Sequence, residues 1–468
     1  MELVTRLGGA GGQAEVTVSR AELALTRFAN SAIHQNVAES AVEVRLRIHL
    51  DGRTAAGSGT TTTPDGLRGL VERVLAAARF APRDPSWPGL TPPVPVPPSP
   101  PWDAATAQAG PDDRAALVRA FVDAADGLET AGYCRTTTRA VAFANSAGHA
   151  VQGRAIEAAM DGIARTGGAD GTARDCAERL ADLDAVELGR RAAAKARAAT
   201  DPVELPPGRY PVVLEPAAVA DLLENLAWYG FNGKRYAEGQ SFAEPGVAQF
   251  DPAVTLVDDP LGAAGLPFDL EGTPTGTLPL VDAGTTRAVA HDRRSAAEVG
   301  DESTGHAWTG GSTFGPIPRN LRLAPARATT TSGAADPTTA GGVTAAWNVA
   351  TVGGLAGAVV DADTAALVSR MQRGLLVSDL WYTRVLDPKS LVITGLTRNG
   401  VWLVEDGQIT RAVRDLRFTE SYPRALGPGA VLELGRRTVR QPNRWDGVWW
   451  EAPALRLASW NFTGGASG

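Results

Sequence analysis

The residues best placed to do chemistry concentrate in one stretch, Glu224-Asn225-Leu226-Ala227-Trp228-Tyr229, within a helical run that exits through Gly230 and Gly233. Zinc-dependent hydrolysis needs two or more His or carboxylate ligands, plus a carboxylate that takes the proton from bound water. A helix supplies such a set when ligands and base lie within about one turn of each other. This stretch has the outline without the groups, because Asn225 cannot act as a base and Tyr229 is a poor zinc ligand. His291-Asp292 and Glu302 with His306 offer nitrogen and oxygen donors, but they lie outside a one-turn motif in a loop-rich region. A histidine there is more often simply hydrogen-bonded. His34 and His149, which follow two similar turns, are weaker candidates still. Asp258-Asp259 and Asp269 with Glu271-Gly272 could do acid/base work if their pKa values were split. The plainer expectation is Asp-rich turns with solvated acids.

Trp445, Trp449, Trp450 and Trp460 crowd the C-terminal residues, with Trp381 and Tyr382 upstream. Such density marks a core corner or an interface anchor, and core packing is the first expectation. If Trp449 and Trp450 share a strand, one of them must face away from the core. Cys134 and Cys176 are too few for a disulfide framework or a thiolate metal cluster and are expected to be small packed side chains.

The 468-residue chain is long enough for two domains. A net charge of −7 argues against a general nucleic-acid or anionic-membrane surface. No apolar run of about 18 residues is present to cross a bilayer. With no signal pattern at the start, the cytoplasm is the expected location.

The elements that must position these residues fall into two halves. Val42, Val44, Leu46, Ile48 and Leu50 alternate with polar residues as a half-buried strand, Asp51-Gly52 turns the chain, and Thr63-Pro64 opens a helix. Pro82 to Pro101 is proline-rich and extended, read as a surface excursion within the first domain. Phe28-Ala29-Asn30-Ser31-Ala32 recurs as Phe143-Ala144-Asn145-Ser146-Ala147, through duplication or through reuse of one hairpin turn; reuse is the simpler expectation. Helices are expected at 111–128, 184–199 and 361–373. After the break at Pro202 to Gly208 the chain turns β-rich, with hairpin signals at Asn399-Gly400 and Asp406-Gly407. The expected fold is therefore α+β: residues 1–204 form a sandwich-like domain of antiparallel strands and helices, and 205–468 a mostly antiparallel, barrel-like β domain that carries the motif.

Three segments, 206–242 (PPGRYPVVLEPAAVADLLENLAWYGFNGKRYAEGQSF), 303–307 (STGHA) and 373–409, resemble in order and spacing the TldD/PmbA family of metalloproteases and DNA gyrase modulators. The catalytic branch of that family has LLHEAVGH where this chain has Leu222 to Tyr229. The resemblance places the first ligand at Glu224, the base at Asn225 and the second ligand at Tyr229. Gly230, Gly233 and Gly239-Gln240-Ser241 match the family's following G-x-x-G and G-x-S, so the difference is substitution within a kept register. The cysteine that completes the zinc site near the C-terminus of the catalytic branch is missing, since none follows Cys176. The resemblance implies the TldE (PmbA) branch, with no catalytic or metal-binding residue of its own and no cofactor in this chain, zinc being carried by a TldD-like partner. It further implies a heterodimer that handles unfolded or leader peptides, with Trp228, Asn232 and His306 lining a cleft. Two other readings stand beside it: a self-contained hydrolase with a non-standard metal site, and a peptide-binding homodimer without turnover.

Overall fold

The computed structural model describes residues 2, 11–262, 265–326, 359–443 and 449–465. Strands β1 (Gln13–Ala29) and β2 (Ala32–Leu50) form a long antiparallel hairpin, and β3 (Arg53–Gly59) returns along β2. Both reversals use left-handed residue pairs, Asn30-Ser31 (φ 49° and 58°) and Asp51-Gly52 (φ 49° and 71°), as two-residue hairpin turns require. Helix α1 (Pro64–Phe80) starts at Thr63, whose hydroxyl accepts from the Gly66 amide. Its Leu70, Val71, Val74 and Leu75 bury against Val44, Leu46 and Ile48 of β2. The strand, turn and helix expected over this stretch are all present.

After α2 (Pro111–Ala124) the pattern repeats as β4 (Glu129–Asn145), β5 (Ala150–Thr166), β6 (Ala169–Ala177) and helix α3 (Ala185–Ala198). The six antiparallel strands lie in the order β3-β2-β1-β4-β5-β6, so two three-strand units meet symmetrically at β1 and β4. The repeated Phe-Ala-Asn-Ser-Ala falls at the first hairpin of each unit, but the two turns differ. In the second, the Asn145 side chain accepts from the amides of Ala147 (3.0 Å) and His149 (3.2 Å), and the left-handed residue is Gly148 (φ 89°). Reuse of one turn conformation does not account for the echo. Equivalent position in two similar units favours duplication.

Helices α1, α2 and α3 pack on one face of this sheet. Because side chains alternate along a strand, the even-numbered residues of β1, β2 and β4 meet the helices, while Thr17, Ser19, Ala21, Glu43, Arg45 and Arg139 look the other way, toward the C-terminal half. The proline-rich segment is a clamped strap rather than a loose excursion. Thr91 is buried and donates to the Glu271 carbonyl (2.7 Å), Trp87 stacks on His49, and Asp84 pairs with Arg294.

The C-terminal half is built around a closed ring of five strands. β7 (Gly208–Leu214) pairs in parallel with β12 (Arg373–Asp387) and antiparallel with β19 (Leu455–Gly465). β19 then pairs with β15 (Leu416–Ser421), β15 with β13 (Val392–Glu405), and β13 with β12, each antiparallel. A second sheet lies beside the ring, built from β8 (Leu256–Asp258), β9 (Leu278–Asp282), β10 (Thr285–Thr286), β11 (Leu321–Leu323), β17 (Val439–Pro442) and β18 (Trp449–Ala452) in the order β10-β9-β8-β11-β18-β17. The expected helix near 361–373 is shorter, Ala362–Val368. The turn at Asp406-Gly407 is observed between β13 and β14 (Gln408–Ala412). Asn399-Gly400, by contrast, does not reverse the chain. Both residues have positive φ (59° and 126°), but β13 runs through them, and the register shift opposite Val377 and Asp379 shows a bulge. The same tolerance of left-handed backbone serves a bulge as well as a turn.

Trp449 and Trp450 do alternate, yet both are buried. Trp449 packs on Ala159 and Cys176 of the first sheet, and Trp450 enters the barrel-side core. Strand β18 lies between two cores, so neither face meets water. Trp460 is also buried, whereas Tyr382 is exposed; Trp445 falls outside the described residues. Cys134 and Cys176 are buried free thiols, and burial pushes Cys134 up to about 12. Among the described residues no helix is long and apolar enough to cross a membrane.

Candidate functional site

Helix α4 (Pro216–Asn225) leaves β7 with proline in its first turn and buries Ala218, Val219, Leu222 and Leu223 against the barrel strands. It does not end at Asn225 but widens into a single π turn, Leu226–Gly230, closed by the Phe231 amide donating to the Leu226 carbonyl (2.8 Å). This explains how the motif spacing works. On a regular α-helix, positions five apart such as 224 and 229 lie about 140° apart. The i→i+5 closure of a π turn brings such positions toward one face, and π turns recur at functional sites. The backbone here is one that could gather a ligand set, but the side chains at these positions do not make one.

The motif side chains are engaged otherwise. Asn225 is buried and donates to the Asp221 carbonyl (2.9 Å), the Asp221 carboxylate (3.2 Å) and Thr383 Oγ1 (3.3 Å). Asp221 also accepts from the hydroxyls of Thr383 (2.9 Å) and Tyr422 (3.3 Å). Burial, reinforced by the nearby negative charge of half-buried Glu224, pushes the Asp221 carboxyl up to about 7. Tyr229 is half-buried, with the Arg235 guanidinium 4.9 Å from the centre of its ring.

Donor chemistry at these positions does not fit zinc: one carboxylate, one amide and one phenol lying beneath a fixed positive charge. No group of three or more His, Cys, Asp or Glu side chains among the described residues is arranged to hold a metal ion. Glu302 is exposed, and Asp292 caps a short helix by accepting from the Ser295 amide (2.7 Å). His291 is buried with Nδ1 on Ser295 Oγ (3.0 Å).

The three expected cleft residues have distinct roles. Trp228 stands edge-on to Trp308 (5.5 Å between ring centres) and Phe314 (5.8 Å). Asn232 is fully buried and acts as a brace: its amide donates to the carbonyls of Trp228 (3.1 Å) and Phe314 (2.7 Å), and its oxygen accepts from the Arg235 amide (3.1 Å). His306 does face a cavity. Its Nε2 is 3.0 Å from Asp258 Oδ2 and its Nδ1 2.9 Å from Thr304 Oγ1. His34 is exposed, and His149 is buried with Nε2 2.8 Å from the Gly272 carbonyl.

The cavity that His306 borders measures about 370 Å³, within the range of ligand sites. Its floor is the helix-free face of the first sheet, and its roof is formed by the loops around 258–275 and 305–320. Trp308 lines it and touches Trp228, so the cavity and the motif helix share an aromatic wall. The acids at Asp269 and Glu271, expected to be solvated, are buried. Asp269 accepts from the amides of Glu271, Thr273 and Ala307 (each 2.9 Å), and Glu271 pairs with Arg47 (2.9 Å). Asp221, Thr383, Tyr422, Arg45 and Arg139 were not singled out from the sequence. The available signal was Asp221, an acid one turn before Asn225 in a helix whose other buried residues are apolar.

Residues 207–464 match the family model described as the PmbA/TldA metallopeptidase C-terminal domain. A protein named "Metalloprotease" from Methanothermobacter thermautotrophicus is 27% identical over 134 residues, which span 28% of this chain and 30% of that relative's length. Among solved structures, TldE from Thermococcus kodakarensis superposes with a TM-score of 0.82 at 18% identity, covering 99% of this chain and 100% of that one. A candidate modulator of a DNA gyrase from Thermotoga maritima gives 0.78 at 17% identity, covering 99% of both chains. At these identities the two structures speak for the fold alone. With the family model matched over more than half its length, the chain belongs to the PmbA/TldD metallopeptidase family.

Proposed function

We propose that this protein is the TldE-like, non-catalytic subunit of a two-subunit metalloprotease that acts on unfolded or leader peptides in the cytosol. One observation supports the reading. The helix carries a π turn that could bring positions 224 and 229 toward one face, while those positions and the one between them that would serve as base hold Glu224, Tyr229 and Asn225, two of them unable to bind or activate zinc and engaged in other contacts. A fold can keep its cleft and docking surfaces after losing ligands, because packing and catalysis use different residues. Zinc and the proton-accepting glutamate would come from a TldD-type partner bearing an intact motif.

The test is co-expression with a TldD-type relative encoded in the same genome, followed by size exclusion, metal analysis and cleavage of an unfolded peptide. The expected outcome is a mixed complex with zinc in proportion to the partner alone, and turnover only when both chains are present. Stoichiometric zinc and chelator-sensitive cleavage by the lone chain would instead favour the self-contained hydrolase. A lone chain that elutes as a dimer and ignores the partner would favour the peptide-binding homodimer.

A further inference from the structure

The floor of the 370 Å³ cavity has an ordered pattern set by strand register. Thr17, Ser19 and Ala21 of β1 run along its middle; Thr17 faces Arg45 of β2, Ser19 faces Glu43, and Ala21 faces Arg139 of β4. Small side chains therefore make a shallow channel along β1, with longer charged ones rising from the strands on either side. Neither Arg45 nor Arg139 makes an ion pair or hydrogen bond with another described residue, although both are half-buried and border the cavity. Other buried or half-buried arginines, Arg47, Arg135 and Arg174 among them, do have acid partners.

The acids of the cavity are already engaged. Asp258 accepts from the Asn320 amide (2.7 Å) and lies against His306, and Asp269 accepts three backbone amides. Glu43 is left as the acid of the floor, beside two arginines on the sheet and Arg319 on the roof. A partly enclosed site raises the strength of a charge-assisted hydrogen bond, and the guanidinium fork matches a carboxylate in a way an ammonium does not. Trp308 supplies an apolar wall at the same site.

We propose that this cavity is a peptide-carboxylate subsite, in which an extended segment lies along the Thr17-Ser19-Ala21 channel and presents a carboxylate to Arg45 and Arg139. The inference rests on the reading of the chain as the peptide-handling subunit and assigns it a binding role of its own. Two sources of the carboxylate share this chemistry, the C-terminus of a peptide and an Asp or Glu side chain.

The test uses the whole chain without a partner, so that failure to assemble with a TldD-type subunit leaves its outcome intact. An N-terminally fluorescein-labelled pentaalanine is titrated by fluorescence anisotropy in three forms: free acid, C-terminal amide, and amide with a central glutamate. The free acid is expected to bind about tenfold or more tightly than the plain amide. Recovery of affinity by the glutamate-bearing amide would identify a side-chain carboxylate as an equally good ligand; no recovery would assign the site to C-termini. Arg139→Gln and Arg45→Gln should each abolish the difference between acid and amide, and Arg139→Lys should keep only part of it. Rising salt should weaken the acid and leave the amide nearly unchanged. Equal affinity for acid and plain amide, indifference to both arginine substitutions, or no binding of any form at millimolar peptide would overturn the proposal.

Discussion

Asp221 carries the clearest consequence at the scale of single residues. Its carboxyl, held by the hydroxyls of Thr383 and Tyr422 and the amide of Asn225, is pushed from 3.8 to about 7, chiefly by burial. Because the folded pKa exceeds the unfolded one, the native state binds more protons between those values, and stability falls as pH rises from about 4 to about 7. Above that window the loss is complete. Asp175 and Asp415, each raised to about 6, contribute with the same sign. Asp221→Asn should therefore reduce the slope without removing it. At pH 8 it should stabilise the protein by up to a few kcal/mol, since each tenfold difference in proton affinity between folded and unfolded chain is worth about 1.4 kcal/mol. Near pH 4 parent and variant should differ little. Thermal melts of both across this range check the claim; a variant less stable than the parent at pH 8 would contradict it. Asn can keep the geometry, with the Thr383 hydroxyl turning to accept where it now donates.

The π turn and its exit decide matters at the scale of elements. Gly233 begins the short helix after the turn where the backbone passes hard against the 290–295 segment. A Cβ there would lie 2.3 Å from the Ala290 carbonyl and 2.6 Å from His291 Nδ1. Since a carbonyl cannot swing aside as a flexible side chain can, Gly233→Ala should cost about 1–3 kcal/mol, read as a lower melting temperature. By contrast Gly239→Ala, with open space around its Cβ, should carry only the milder strain of its positive φ (69°). The sequence made this helix legible through Pro216 and its apolar face, and made the vacant chemistry legible through the identity of three side chains. The π turn was hidden, because the period that finds helices assumes 3.6 residues per turn and treats positions 224 and 229 as unrelated faces. The Asp221 cluster was hidden for a different reason: Thr383 and Tyr422 lie 162 and 201 residues away, and only closure of the barrel brings them in. Asn399-Gly400 shows a third kind of limit. Its preference for left-handed backbone was readable, but whether that would turn or merely bulge a strand depended on the register of β12.

For the whole molecule, the cavity exists because the first sheet and the barrel are held face to face, and buried charge does part of that holding. Arg174 of β6 donates to Asp379 of β12 at 2.6 Å, with Asp161 at 3.6 Å and the Asn399 amide 3.2 Å from the same carboxylate. Lys195 of α3 meets Glu215, just before α4, at 2.8 Å and Ser378 at 2.9 Å. Removing one member of such a pair leaves an uncompensated charge in a dry place, whereas replacing both with apolar groups can be close to neutral. Arg174→Ala should thus cost about 3–5 kcal/mol, and Arg174→Met with Asp379→Leu considerably less. Calorimetric melts of parent, single and double variants measure the difference. The site adds a second readout, since an interface loosened at Arg174 moves the roof of the cavity against its floor. Free-acid pentaalanine should bind Arg174→Ala more weakly than the parent and bind the double variant about as well. If the charges serve only local stability, peptide affinity will follow neither substitution, and the two halves must be held in register by apolar contacts such as Trp449 on Ala159 and Cys176.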